Sequence, residues 1–140
     1  LEKKFTENAK DYIFFATHNG YEKKYGYLHK RSIRILKKES KIYGIDELEK
    51  TSNIFNQIYY FIRFHIYPGI KITKTKGKNS VLVKQTNGEG WIIKSIENNL
   101  NIEKNIFFGR KNTVNNECIC ISGSTKEPKV SINWEIEKIE

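Results

Sequence analysis

No methionine occurs anywhere in the 140 residues, position 1 included. A translation product begins otherwise, so the sequence reads as a piece of a longer protein whose targeting signals, if any, lie upstream. Long apolar runs are also missing. Nothing approaches the ~18 consecutive apolar residues of a transmembrane helix, and the first ten residues lack the apolar centre of a signal peptide. Within these residues nothing anchors or exports the chain. Cysteine is scarce: Cys118 and Cys120 stand two apart in a strand-like run, side by side on one face, a poor geometry for a mutual disulfide. They lack the spacing of a C-x-x-C metal site and read as buried, inert thiols. Phosphate-cradling glycine loops, nucleophile elbows and dinucleotide fingerprints are absent, as is any amphipathic helix.

What is present is enough chain for one domain, which at this length buries roughly two thirds of the surface its unfolded form exposes and needs no metal or disulfide to fold. The net charge is +9, and a basic surface attracts polyanions. Lysine dominates, however, with 21 Lys against 4 Arg, alongside 21 Ile and 14 Asn. That bias is the mark of AT-rich coding, and lysines at alternate strand positions read as a solvated face. A selected anion-binding surface requires that the cations cluster.

Strand signals then follow one another. Residues 12–17 form an aromatic and aliphatic run ending at Asn19-Gly20, the strongest short hairpin signal. A two-residue turn there places His18 opposite Tyr21, with Cβ atoms ~5 Å apart. From Tyr27 to Leu36, His29 and Arg31 share a face with Ile33 and Ile35. Residues 41–48 are the return strand, with Gly44 as a bulge, and residues 50–53 are a loop. Residues 54–66 are the most hydrophobic segment and favour a central strand; Arg63 and His65 share one of its faces and need partners if buried. Pro68-Gly69 ends it. Short strands follow at 71–76, 80–85, 90–96, 102–109, 117–122 and 130–139, separated by Gly77-Lys78-Asn79, by Asn87-Gly88 and by loops at 110–116 and 123–128. In the last strand Ile132, Trp134 and Ile136 point inward. This spacing predicts an all-β fold, an antiparallel β-sandwich.

His18, Tyr21, His29 and Arg31 are the one cluster with the ingredients of proton transfer and anion binding. Arg63 with His65 is a weaker pair. Three histidines on separate strands do not make a zinc site.

In order along the chain come His18-Asn19-Gly20-Tyr21, Gly26-Tyr27-Leu28-His29-Lys30-Arg31, Gly44-Ile45-Asp46-Glu47-Leu48 and Ile62-Arg63-Phe64-His65-Ile66-Tyr67-Pro68. After them stand Asn87-Gly88-Glu89-Gly90-Trp91, Phe108-Gly109, Ser122-Gly123 and Asn133-Trp134. Across nearly the whole chain this set resembles the C-terminal β-domain of bacterial heparinase II/III-like polysaccharide lyases, particularly the proteobacterial branch. The resemblance implies a longer parent protein: an upstream α/α toroid, then a β-sandwich of which residues 1–140 are the later portion. It implies β-elimination on uronic-acid polysaccharides, an acidic polysaccharide and the toroid as partners, neither nucleic acid nor membrane, and a periplasmic or secreted location. It also implies that the principal catalytic residues lie in the toroid, and that the β-domain's catalytic histidine and metal ligands precede His18. No catalytic residue, metal ligand or cofactor is therefore expected here, a divalent metal such as zinc belonging to the full-length protein. His18, Tyr21, His29 and Arg31 are expected to line or support the substrate cleft.

Two other readings start from the residues alone. A noncatalytic carbohydrate-binding sandwich needs exposed aromatic faces from Trp91 and Trp134. A nucleic-acid-binding β-module needs a basic groove beside stacking aromatics.

Overall fold

The computed structural model describes residues 1–52, 57–109 and 112–139. Its strands are β1 (Lys3–Glu7), β2 (Asp11–His18), β3 (Tyr27–Leu36), β4 (Lys41–Lys50), β5 (Tyr59–His65), β6 (Lys71–Lys74), β7 (Ser80–Lys84), β8 (Gly90–Ser95), β9 (Leu100–Phe108), β10 (Thr113–Ser124) and β11 (Lys129–Ile139), with one helical turn, α1 (Glu22–Tyr25). Among the described residues the strand pairings are antiparallel, in an eight-stranded sheet of order β1-β2-β3-β4-β11-β8-β7-β6 and a three-stranded sheet of order β5-β10-β9. The all-β sandwich that the strand spacing predicts is what forms.

Two-residue alternation explains the core. Val81 and Val83 of β7, Ile93 of β8, and Ile132 and Trp134 of β11 face Ile62 of β5, Leu100 of β9, and Ile119 and Ile121 of β10. Phe64 of β5 meets the Trp134 ring edge-on, with centroids 5.0 Å apart. Burying an aliphatic or aromatic side chain of this kind contributes ~1.5–3 kcal/mol. Cys118 and Cys120 occupy the other face of β10, free and fully buried.

Several local expectations change. Asn19-Gly20 makes no two-residue hairpin, because neither residue takes the positive φ that a type I′ turn demands. The chain instead winds through α1, with Tyr25 and Gly26 donating backbone bonds to Tyr21 and Glu22, and Gly26 at φ 72 closes it. His18 consequently lies opposite His29, not Tyr21. Gly44 is not a bulge: it pairs in register with Ile33 and Trp134. Its hydrogen is required because the Trp134 indole lies flush on the backbone, and a Cβ there would fall 2.0 Å from the ring. β5 is an edge strand, not a central one.

The expected loop at 110–116 is β-strand from Thr113 onward, and Gly123 and Ser124 of the expected loop at 123–128 also belong to β10. Lys50 still belongs to β4. Asn53, the last residue of the expected 50–53 loop, and the first residues of the predicted 54–66 strand lie outside the described residues, as do residues 110 and 111. β1 carries no expectation from the sequence; its side chains are exposed throughout.

Candidate functional site

The inner faces of β2, β3 and β4 bring the candidate residues together. Cross-strand register sets His18 beside His29 and Leu48, and Ala16 beside Arg31 and Asp46. Asp46 shares its strand face with Gly44 and Leu48, so alternation forces a carboxylate among buried positions; only 1% of the residue is exposed. Such a charge is tolerated only when fully hydrogen-bonded. His29 Nε2 and Arg31 Nε each donate to Oδ1 at 2.7 Å, and Trp134 Nε1 donates to Oδ2 at 2.8 Å. Burial works against the ionised form, but the three donors and the Arg31 charge outweigh it and hold the pKa below the ordinary aspartate value. Because the carboxylate is ionised, Nε2 of His29 carries a proton.

His18 sits above this network. Its ring lies edge-on to His29, with centroids 5.1 Å apart, and 4.9 Å from the Tyr21 ring. Tyr21 is 44% exposed and reaches within 6.4 Å of Tyr25, centroid to centroid. The Gly20 amide donates to His18 Nδ1 at 3.0 Å, which leaves Nε2 protonated in the neutral ring. Burial first, then the charges of His29 and Arg31, push the His18 pKa below its ordinary value. At neutral pH His18 is therefore a neutral donor through Nε2. It cannot accept a proton at Nδ1 without releasing Gly20.

The four sequence-stated candidates divide accordingly. His18 and Tyr21 form an open rim with hydrogen-bonding groups, while His29 and Arg31 are tied to Asp46 beneath it. The Arg31 side chain remains 42% exposed with only Nε committed to Asp46, so its charge still reaches the surface. Together these groups can recognise an anion and hydroxyls. Asp46 and Trp134 appear among the residues carrying the family resemblance, but neither is among the candidate site residues. The available signal was an aspartate alternating with Gly44 and Leu48 on the strand that answers Arg31. Among the described residues, no group of three or more His, Cys, Asp or Glu side chains converges as metal ligands would.

Arg63 and His65 lie elsewhere, on the outer face of the three-stranded sheet. Arg63 Nε donates to Glu103 at 3.2 Å and His65 Nδ1 lies 2.6 Å from Asn105 Nδ2. These pairs reach across β10 over Cys118 and Cys120, and burial together with Glu103 pushes the Cys120 thiol up to about 11.

On the eight-stranded sheet the lysines interleave with carboxylates: Lys41 and Lys94 with Glu135 and Glu137, Lys129 with Glu47, and Lys30 with Glu49. Trp134 is buried, and Trp91 is partly buried against the core with its Nε1 shielded from solvent. Neither ring offers the free stacking face that a carbohydrate-binding row requires.

Compared with known proteins, residues 2–135 match the family described as Heparinase II/III-like, C-terminal. The fold is similar to heparan sulfate lyase HepC from Pedobacter heparinus, with a TM-score of 0.81 at 14% identity over 99% of this chain and 21% of that one. A heparinase III gene product gives 0.75 at 9% identity, and a further heparinase III structure 0.67 at 13%, each again over 99% of this chain and 21% of that one. The chain thus spans about one fifth of the length of these lyases. No curated protein matches it.

Proposed function

The chain belongs to the heparinase II/III-like C-terminal family, and from that membership we propose that it is the C-terminal β-sandwich portion of a polysaccharide lyase acting on uronic-acid-containing chains by β-elimination. Its part is that of scaffold and cleft wall, and it is inactive alone. The observation that carries this reading is the rim of His18 and Tyr21 standing on the Asp46 network.

Elimination removes a weakly acidic proton beside the sugar carboxylate and expels a glycosidic oxygen. A site for it must neutralise the carboxylate, supply a base and protonate the leaving group. Arg31, half exposed and fixed through Nε, suits the first requirement. His18 Nε2 and the Tyr21 hydroxyl suit hydroxyl or sulfate recognition beside it. Neither is placed as the base: His18 has its free lone pair on the Gly20 amide, and base and acid are assigned to an upstream toroid. Any zinc likewise belongs to the parent protein, since these side chains are already engaged with one another. The parent is secreted or periplasmic on this reading; among the described residues no helix is long and apolar enough to cross a membrane.

The test is to incubate the full-length parent and this chain separately with heparan sulfate and other uronic-acid polysaccharides, following the ultraviolet absorbance of the unsaturated uronate. Product from the parent and none from the chain is expected. Turnover by the chain alone would show that the chemistry sits in it.

A further inference from the structure

The sequence holds two Asn-Gly pairs, Asn19-Gly20 and Asn87-Gly88. Asparagine is a thermolabile residue, because the backbone nitrogen of the next residue can attack its side-chain carbonyl carbon. A glycine in that place removes the side chain that would hinder the approach. What ordinarily slows the reaction is the weak acidity of the backbone N–H. A base held against that N–H lowers the barrier.

The two pairs differ in this respect. At the first, the Gly20 amide donates to Nδ1 of His18 at 3.0 Å. Glycine is what lets the ring lie so near, since a Cβ at position 20 would fall 3.1 Å from Nδ1 and 3.2 Å from Cε1. Nδ1 is the unprotonated nitrogen of the neutral imidazole, and burial with the charges of His29 and Arg31 favours that neutral form. Asn19 and Gly20 are both exposed. Among the described residues no hydrogen bond engages the Asn19 side chain, which is free to turn onto Gly20.

The second pair lacks each of these features. The Gly88 amide donates to the Gln85 carbonyl at 3.1 Å, an acceptor with no useful basicity. Oδ1 of Asn87 accepts from the Glu89 amide at 3.0 Å, which commits the side chain to Glu89. A Cβ at Gly88 would meet nothing within 4 Å, so no ring stands beside it.

We propose that Asn19-Gly20 is a built-in deamidation site with His18 as its base. Nδ1 takes the Gly20 amide proton, the freed nitrogen bonds to Cγ of Asn19, and the C–N bond of the side-chain amide breaks. Ammonia leaves with the proton that the imidazolium returns. Water then opens the five-membered imide at either carbonyl, giving aspartate or isoaspartate at position 19. One water is consumed and one ammonia released, with no oxidant or reductant. The product places a carboxylate directly after His18, at a rim whose fixed charge is that of Arg31. Where this rim meets anionic sugars the new charge opposes them; that consequence rests on the lyase reading, whereas the modification does not.

Timed incubation of this chain at neutral pH, followed by peptide mapping in a mass spectrometer and isoaspartate methyltransferase labelling, tests it. Asn19 is expected to convert at least about tenfold faster than Asn87, a modest share of what a positioned base contributes. In urea the two sites should convert at similar rates. His18→Gln keeps an acceptor for Gly20 but no base, and should slow Asn19 by the same factor. Native Asn19 no faster than Asn87 would overturn the proposal, as would His18→Gln converting at the wild-type rate with an unchanged circular dichroism spectrum. An excess at Asn19 that persists in urea would also overturn it, by assigning the lability to local sequence. In the full-length parent Asn19→Asp should lose affinity for uronic-acid polysaccharide, and unchanged affinity in an active parent would remove the opposing effect. A parent that yields no unsaturated product would sink the lyase reading and leave the modification standing.

Discussion

Replacing Asp46 by Asn removes one charge at nearly constant volume, and its cost can be worked from three bonds. Trp134 is the most buried of the three donors, and its bond to a carboxylate contributes about 1.5–3 kcal/mol. His29 adds a similar bond from a side chain 18% exposed. Arg31, at 42% exposure, is discounted to about 0.5–1 kcal/mol because solvent screens it. An amide retains one acceptor but turns its NH2 group toward donors on the other side, so about 2–3 kcal/mol should be lost; Asp46→Ala should lose about 3–5 kcal/mol, the range for breaking a buried pair. For a domain of this size the Asn variant melts ~8–12 °C lower. Urea and thermal unfolding at neutral pH measure this directly. The folded pKa of Asp46 is depressed, so its contribution is complete above the unfolded value of ~3.9 and fades as pH falls through the folded one. The gap between wild type and Asp46→Asn should therefore narrow below about pH 4. A variant within about 0.5 kcal/mol of wild type at neutral pH, or a gap independent of pH, would refute the account of the network.

Gly44→Ala drives a methyl into the Trp134 indole; a loss of about 2–3 kcal/mol in urea unfolding, with a changed near-ultraviolet tryptophan signal, is expected. The His18 imidazole should titrate by NMR below its ordinary 6.5, so its contribution to stability is complete above about pH 6.5 and falls as pH drops from there toward the folded pKa. Arg31→Gln should move that midpoint upward. Cys120, buried and with its pKa pushed up to about 11, should resist iodoacetamide at pH 8 in the native protein and react once urea unfolds it. In the full-length parent, His29→Ala should lower turnover along with stability, whereas Tyr21→Phe should weaken substrate affinity with stability unchanged, as paired kinetics and melting curves would report.

Period-two alternation made most strands readable, and the row of Ile132, Trp134 and Ile136 is the clearest case: each inward residue meets the core. The errors have local causes. Asn19-Gly20 carries a hairpin signal, yet Gly26 supplies the left-handed residue six positions later, and the chain uses that one to close α1. A dipeptide motif states what a turn can be, not where the two strands find register. β5 looked central because its composition is apolar on both faces, but Tyr59 and Phe61 are exposed on the outer one. β1 escaped notice because a single aromatic, Phe5, among charged residues gives no alternation to detect. Asp46 was legible only through pairing: its significance comes from facing Arg31 and His29 across β3 and from Trp134 arriving 88 residues later.

That last contact decides how the candidate site should be understood. The four residues singled out for their chemistry are not equivalent, because a buried carboxylate claims two of them. His29 and Arg31 spend their best hydrogen bonds on Asp46, and the same carboxylate holds the indole that roofs Gly44 and touches Phe64 of the other sheet. The network is thus shared between the core and the rim. Its rigidity is transmitted upward: His29 supports the His18 ring, and His18 is fixed from the other side by the Gly20 amide at the start of the α1 turn. A substitution at Asp46 or Trp134, far from any exposed atom, should therefore disturb ligand recognition through the orientation of His18. A substitution at Tyr21, which no hydrogen bond of the network holds, should act on the ligand alone. On the proposed reading, the boundary between scaffold and recognition surface runs between Tyr21 and His29, two aromatic rings 6.3 Å apart.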